Sequence, residues 1–132
     1  MKAPKPYLVL PGTAREALTF YAETFGGTLE LHTYAEFERT DGPPEAIAHG
    51  ILDGRVALYA SDAGEGEAPL RTEGLMLSIL GAADPTTLHA WFDALADGGH
   101  VIDPLEEREW GASNGQVVDR IGLHWLIGYE PT

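Results

Sequence analysis

Histidines are the residues of this sequence best suited to proton transfer or metal binding, since it contains no cysteine. There are five of them: His32, His49, His89, His100 and His124. No two stand at the close spacing of a local metal motif, and thiolate ligands and disulfides are excluded. His89 is expected on a helix flank and His100 follows a glycine pair, so we expect both in solvent. Any chemistry must therefore come from residues that the fold brings together.

His49 has the most informative surroundings of the five. It lies in the segment IAHG, on the strand face shared with Ile47 and Ile51. Counting back across a two-residue hairpin turn predicted at Asp53-Gly54 places His49 opposite Leu58. A lone histidine on an apolar face is usually a hydrogen-bonded core residue, since buried polar groups need partners. A functional role is the alternative, and both interpretations stay open.

Asp62 and Trp110 are further candidates for a binding site. Asp62 ends the strand next to that of His49, where it could anchor a hydrogen-bond network or serve as an ordinary turn residue. Trp110 lies in the loop EEREWGASNG, where it could close over a ligand or pack into the core. The charged run Glu106–Trp110 is interpreted as a solvated strand end, and the sequence contains no nucleophile elbow, phosphate loop or HExxH motif.

Composition narrows the class of protein. The 132 residues suit a single domain, and 44% of them are hydrophobic, which argues against disorder. The net charge of −13 argues against nucleic-acid binding, because it repels phosphates, and it would suit a cationic ligand. No apolar run is long enough to cross a membrane and the first residues do not form a signal peptide, so we expect a cytoplasmic protein.

Two segments predict helices of the same design. In the first, Thr13 and Glu16 have the spacing of a capping box and glycines 26 and 27 end the helix. In the second, Asp84 is the expected N-cap, Pro85 the first helical residue, and glycines 98 and 99 the end. Each carries an apolar stripe at helical spacing: Ala17, Phe20, Tyr21, Thr24 and Phe25 in one, and Leu88, Trp91, Phe92 and Leu95 in the other. The aromatic pairs are 71 residues apart, which indicates two copies of one unit.

The flanking segments read as strands and complete the repeat. YLVL precedes the first helix and TLELHTYAEF, AIAHGIL and RVALYASD follow it; GLMLSIL precedes the second and HVIDPLEE, GQVVD and LHWLIGY follow it. The sequence thus predicts an α+β fold of two tandem βαβββ modules, residues 1–62 and 74–132, joined by a linker over 63–73 within one domain. The sheet faces away from the helices are expected to enclose a cleft.

Three stretches resemble a known family: YLVLPGTAREALTFYAETFGG, IAHGILDGRVALYASD and WGASNGQVVDRIGLHWLI. They are similar to the PhnB-like proteins of the vicinal oxygen chelate superfamily, which includes glyoxalase I, bleomycin-resistance proteins and extradiol dioxygenases. The resemblance implies a curved glyoxalase-like sheet around a cleft, and usually a homodimer. Some members are described as 3-demethylubiquinone 3-methyltransferases, but PGT is a single-glycine turn and not a glycine-rich nucleotide loop.

Metal-dependent relatives hold a divalent ion through four His or Glu ligands, one from each of four strands. The resemblance places those positions at Pro6, Tyr59, Gly74 and Leu126. A slip of one residue gives Tyr7, Leu58 or Ala60, Leu75, and Trp125 or Ile127. None of these is an ordinary ligand for such an ion, so we expect neither a metal nor a cofactor.

The same carry-over suggests which residues line the cleft. If Leu126 faces the cleft, His124 does too, while Trp125 faces a helix. His124 is then the best candidate for a general acid or base or a hydrogen-bond anchor, the alternative being a rim histidine with no task. Tyr59 and Ser78 are expected on cleft faces as well.

Three functions follow as hypotheses. The first is metal-free binding of a small molecule, aromatic or cationic, in the cleft, with Tyr59, Ser78, Trp110, His124, His49 and Asp62 as the candidate binding residues. The second is a metal-dependent isomerase, lyase or dioxygenase with displaced ligands. The third is a non-catalytic interaction module in which the Trp110 loop is an interface.

Overall fold

The order of elements repeats along the chain. The computed structural model describes residues 3–131, which divide between Arg71 and Thr72 into two compact units. The first module contains β1 (Tyr7–Leu10), α1 (Ala14–Phe25), β2 (Thr28–Thr33), β3 (Ile47–Asp53) and β4 (Leu58–Asp62). The second contains β5 (Leu77–Leu80), α2 (Pro85–Ala96), β6 (His100–Glu107), β7 (Ser113–Val118) and β8 (His124–Tyr129). Both modules are βαβββ units, as predicted.

Each module forms one four-stranded mixed sheet. The strand orders are β1-β4-β3-β2 and β5-β8-β7-β6. In each, the first strand pairs in parallel with the last, and the remaining pairs are antiparallel. The helices are both 12 residues long and begin 71 positions apart, at Ala14 and Pro85, so the offset read from the aromatic pairs is confirmed.

The apolar stripes of both helices are buried as predicted, apart from the half-buried Thr24. The strands supply the rest of each core, through buried residues that mostly alternate with less buried ones. The buried residues include Leu8, Leu10, Leu52, Leu58 and Ala60 in the first module, and Ile79, Val117, Trp125 and Ile127 in the second. Each module therefore has its own core between its helix and one sheet face, and the other face of each sheet carries the more polar, half-buried side chains.

The capping box predicted at the start of α1 is wrong. Thr13 makes no side-chain cap hydrogen bond; instead the Ala14 amide donates to Oδ1 of Asp62 at 2.8 Å. The first amide of the helix is thus held by a carboxylate from the end of β4. In α2 the prediction is confirmed, since the Thr87 amide donates to Oδ1 of Asp84 at 2.8 Å and Pro85 follows the cap.

The two-residue hairpin predicted at Asp53-Gly54 is also wrong. Leu52 pairs with Leu58, so five residues, 53–57, separate the two strands. The reason is that Asp53 is still paired with Thr28 of β2 and belongs to the ladder rather than to the turn. His49 consequently does not lie opposite Leu58, and its cross-strand partner on β2 is His32.

Three strands are shorter than predicted. The fourth begins at Leu58 rather than at Arg55, because residues 53–57 form the connection from β3. The second ends at Thr33 because the next residues form a turn, in which the Thr33 amide donates to Glu36 at 2.6 Å and the Glu36 amide to Thr33 at 3.2 Å. The fifth begins at Leu77 rather than at Gly74, whose positive φ of 75° takes it out of extended backbone.

Most of the segment predicted as a linker is attached to the first module. The Ala63 amide donates to the carbonyl of Leu10, and the Leu70 amide donates to the carbonyl of Val9, both at 2.7 Å. Within residues 3–131, neither helix is long and apolar enough to span a membrane.

Candidate functional site

In the first module, the sheet face away from α1 carries aromatic and ionisable side chains. The strand register aligns Tyr7 with Tyr59, Tyr59 with Ile51, and Ile51 with Glu30. His49 lies two residues before Ile51 on the same face. Tyr7 is 46% exposed, and His49, Tyr59 and Ile51 are half-buried, so this face is accessible from solvent.

His49, Tyr7 and Tyr59 form a stacked cluster. The Tyr7 hydroxyl lies 2.9 Å from Nδ1 of His49, at hydrogen-bond distance. The His49 ring is 5.6 Å from each tyrosine ring at 23°, and the two tyrosine rings are 5.8 Å apart. His49 is therefore half-buried rather than a fully buried core residue, and it shares its face with the predicted Tyr59.

Asp62 does not join this cluster. It aligns with Leu10 on the helix side of the sheet and is buried. Its two carboxylate oxygens accept the amides of Ala14 and Ile47, both at 2.8 Å. The hydrogen-bond network expected around Asp62 exists, but it connects α1 and β3 rather than His49.

Sequence reasoning missed Tyr34 as a member of that network. Its side chain is fully buried, and its hydroxyl donates to the carbonyl oxygen of Asp62 at 2.6 Å. Burial raises the pKa of Tyr34, and the Arg39 guanidinium lies over its ring at 4.1 Å. The sequence placed Tyr34 within a strand, and no local motif could have indicated this contact.

In the second module, Ser78, Leu126 and Gln116 lie in one row across β5, β8 and β7. His124 lies two residues before Leu126, and its Nε2 atom is 2.9 Å from Oε1 of Gln116. Trp125 is buried on the helix side, so the predicted alternation of His124 and Trp125 is confirmed. His124 is half-buried and held by an amide side chain.

Trp110 lies at the tip of the β6–β7 hairpin and borders a cavity of about 350 Å³. Its side chain is 73% exposed, which rules out the interpretation of Trp110 as a core residue. The cavity lies at the end of the sheet of the second module. It is lined by Leu80, Gly81, Trp110, Ala112, Ser113, Asn114, Leu126, Tyr129 and Glu130.

Arg108 holds this hairpin in place, and sequence reasoning missed it. The guanidinium forms ion pairs with Asp103 at 2.9 Å and Glu106 at 3.2 Å. It also donates to Oδ1 of Asn114 at 3.1 Å and to the Asn114 carbonyl at 2.7 Å. The run EEREW, interpreted as solvated, thus contains an arginine whose side chain is only 15% exposed. The order of charged residues along the sequence does not indicate that Arg108 has these partners.

A second cavity of about 300 Å³ shares walls with the first. Ser113, Tyr129 and Glu130 line both, and Glu107 lines the second. Oη of Tyr129 is 2.9 Å from Nε2 of His89 on α2. His89 and His100 are both exposed, as expected.

The register shows which residues lie opposite two of the positions carried over from metal-dependent relatives, Tyr59 and Leu126. In the first module Tyr7, not Pro6, aligns with Tyr59. In the second Ser78, not Gly74, aligns with Leu126. Two phenols, a hydroxyl and an alkyl chain do not fit a divalent ion that prefers imidazole and carboxylate ligands. Among residues 3–131, no group of three or more His, Asp or Glu side chains is placed to hold a metal ion.

Several known proteins are similar to this chain in sequence or in fold. Protein YjdN of Escherichia coli (strain K12) is 28% identical over an alignment of 139 positions, gaps included, that covers 92% of this chain and 91% of YjdN. The crystal structure of protein PA1353 from Pseudomonas aeruginosa is 32% identical, with a TM-score of 0.81 over 100% of both chains. A PhnB protein from Bacillus cereus is similar in fold, with a TM-score of 0.76 at 18% identity over 97% of this chain and 99% of that one.

The family itself is shown by a match over nearly the whole chain. Residues 5–127 match the model of the Glyoxalase/Bleomycin resistance protein/Dioxygenase superfamily. The match spans both modules and includes the His49 cluster and the Trp110 hairpin. The chain belongs to the glyoxalase/bleomycin resistance protein/dioxygenase superfamily.

Proposed function

We propose that this protein binds a small aromatic cation in the cavity beside Trp110, through its own side chains. The observation that carries the proposal is an indole that is 73% exposed at the wall of a cavity of about 350 Å³. Leu80 and Leu126 line the same cavity and supply apolar contact area. An exposed tryptophan beside apolar walls is suited to stacking on a flat ring or a cation.

The charges around the cavity favour a cation. Glu130 is the charged residue among those lining the cavity, and Glu107 joins it in the neighbouring cavity. The net charge of −13 adds a long-range attraction for cations. Ser113 and Asn114 offer hydrogen-bonding groups that could orient the bound molecule.

Arg108 supports the proposal by holding together the base of the hairpin that carries Trp110. It connects both sides of the hairpin base, since it lies on one side and donates to Asn114 on the other. A preorganised hairpin loses little conformational entropy when a ligand binds. The proposal does not route binding through a metal, because the side chains of Tyr7, Tyr59, Ser78 and Leu126 are not its usual ligands.

Tryptophan fluorescence provides the test, with benzyltrimethylammonium as the probe and benzoate as an anionic counterpart of similar ring size. Trp91 and Trp125 are 6% and 1% exposed, so Trp110 is the tryptophan whose emission should respond to the probe. We expect a saturable change with benzyltrimethylammonium. A dissociation constant above about 50 mM would be too weak for a specific site, so no change up to that concentration would overturn the proposal.

Two charge variants distinguish attraction of the cation by the carboxylate in the cavity from attraction by the net charge of the protein. Glu130→Gln removes the carboxylate in the cavity, whereas Glu109→Gln removes an exposed carboxylate of the same hairpin that does not line it. We expect Glu130→Gln to weaken binding of the cation by about fivefold and Glu109→Gln to leave it unchanged. Equal effects would mean that only the net charge attracts the probe.

Sedimentation of Trp110→Ala distinguishes binding from assembly. The homodimer implied by the family resemblance remains a prediction, and an exposed indole would also suit an interface. Under the proposal, Trp110→Ala has the same mass in solution as the unaltered chain. A fall in mass would identify the hairpin as an interface and count against the binding site.

A further inference from the structure

We infer that the first module carries a separate binding site for a small aromatic carboxylate, formed by Lys5, Tyr7, His49 and Tyr59. The site lies on the face of its sheet away from α1. It differs from the cavity beside Trp110 in its residues and in the charge of the ligand.

Lys5 provides the charge that an anion requires. Its ammonium nitrogen lies 5.6 Å from the centre of the Tyr59 ring. Among residues 3–131, no carboxylate lies within 4.0 Å of that nitrogen. In a chain with 21 acidic residues and 8 basic ones, a half-buried lysine without a carboxylate partner is available for an anionic ligand.

The aromatic cluster provides the surface for a ring. Three rings lie within 5.6 to 5.8 Å of one another, and Ile51 continues their row on β3. Tyr7 is 46% exposed, so its ring edge can be reached from solvent. Offset stacking on such rings is favourable for a flat ligand.

Hydrogen-bond donors complete the site. The hydroxyl of Tyr7 and Nδ1 of His49 are bonded to each other at 2.9 Å, which fixes both groups. The second ring nitrogen of His49 has no hydrogen-bond partner among residues 3–131 and can serve the ligand. The acid of the same row, Glu30, lies on the far strand β2, and its carboxylate is 3.3 Å from His32. Glu36 is also near His32, at 3.6 Å, so both acids are held at the β2 side of the cluster, whereas the ammonium group of Lys5 lies over Tyr59.

The test is a titration of the whole protein with benzoate. Binding is monitored through the imidazole resonances of His49 in long-range ¹H–¹⁵N spectra. His124 in the second module is the internal reference. We expect a saturable shift of the His49 signals, with His124 unchanged and with no saturable change in Trp110 emission. A shift of all histidines in proportion to added benzoate would show nonspecific contact and overturn the inference.

Two variants and one control make the test specific. Lys5→Gln should weaken benzoate binding by about fivefold, and Tyr7→Phe, which keeps the ring, should weaken it by a smaller factor. Arg55→Gln removes a positive charge from the exposed 53–57 loop of the same module and should leave binding unchanged. The thermal midpoint of each variant shows that it is folded.

Two results would contradict the inference. If Lys5→Gln binds benzoate as well as the unaltered chain does, the ammonium group plays no part. If benzyltrimethylammonium shifts the His49 signals as strongly as benzoate, the ring cluster does not select an anion. Failure here would leave the cavity beside Trp110 unaffected, because the two sites share no residue.

Discussion

In the first module the start of the helix is held by a carboxylate at the end of the neighbouring strand β4, whereas in the second it is held by the residue that immediately precedes the helix. Asp62, at the end of β4, accepts the amides of Ala14 and Ile47. Asp84 immediately precedes α2 and accepts the amide of Thr87. The buried carboxylate of the second module, Asp119, instead accepts the indole N–H of Trp125 at 2.8 Å. The same βαβββ topology thus tolerates different polar networks.

The faces away from the helices differ even more. In the register of the two sheets, the pair Tyr7 and Tyr59 corresponds to the pair Ser78 and Leu126. One face therefore carries stacked rings, and the other a hydroxyl and an alkyl chain. The cores lie on the helix sides of the sheets, so residues on the opposite faces can change without loss of the fold. Differences in function within a superfamily can arise on such faces.

The largest expected effect concerns the two helix caps. Asp62→Ala leaves two buried amides without an acceptor, and we expect it to lower the free energy of unfolding by about 4 kcal/mol. Asp84→Ala removes an exposed N-cap and should cost about 1 kcal/mol. Urea unfolding followed by circular dichroism measures both. Equal losses would mean that the carboxylate of Asp62 contributes no more than a local cap.

The fold could be predicted from the sequence because its signals are local. Helical spacing of apolar residues, Asp84-Pro85 at one helix start and glycine pairs at both ends indicate two equal helices. Their common offset then predicts the repeat. The Thr13 cap was wrong, and the contact that holds the helix start instead is the bond from the Ala14 amide to a carboxylate 48 residues away along the chain. The spacing of nearby residues contains no information on such contacts.

The candidate sites were predictable only in part. The alternation of strand residues placed His124 beside Leu126 and away from Trp125 correctly. The contact of His49 with Tyr7 depends on β1 and β3 both flanking β4, which strand spacing alone does not specify. Arg108 was missed because its partners lie on both sides of a hairpin whose register contains bulges.

Two glycines at corresponding places in the sheets provide the next comparison. Gly50 pairs with Ala60 and lies beneath the side chain of Leu18 on α1. Gly115 pairs with Ile127, and a Cβ there would lie 2.5 Å from the backbone nitrogen of Leu105. Backbone cannot move aside as the end of a leucine side chain can. We therefore expect Gly115→Ala to cost about 3 kcal/mol and Gly50→Ala about 1 kcal/mol in urea unfolding.

The two glycine variants would show which neighbour, the helix or the adjacent strand, is the more rigid. A larger loss for Gly50→Ala would mean that the helix, not the bulged strand β6, is the rigid neighbour. Ser113→Ala is a suitable control, because it shortens a buried side chain of the same strand without adding volume.

The next comparison concerns the arginines in the connections between the second and third strands of each module, Arg39 and Arg108. Arg108 donates to neutral acceptors, Asn114 and the carbonyl of Pro104, in addition to its ion pairs. Arg108→Met should therefore cost about 2 kcal/mol in urea unfolding at neutral pH, and part of that loss should persist in acid. The hydrogen bonds of the Arg39 side chain go to the carboxylates of Asp41 and Glu67, so the effect of Arg39→Met should depend more on pH.

The direction of that pH dependence follows from the carboxylates. The hydrogen bond from Arg39 lowers the pKa of Asp41, and hydrogen bonds from the Gly64 amide and then from Arg39 lower the pKa of Glu67. A lowered pKa stabilises the folded chain above the ordinary value, about 4, and this contribution is lost as the pH falls through the lowered values. The difference in unfolding free energy between the unaltered chain and Arg39→Met should thus be constant from pH 7 to about 5 and shrink toward pH 3. A difference that stays constant to pH 3 would assign the role of Arg39 to its stacking on Tyr34, which does not require the carboxylates.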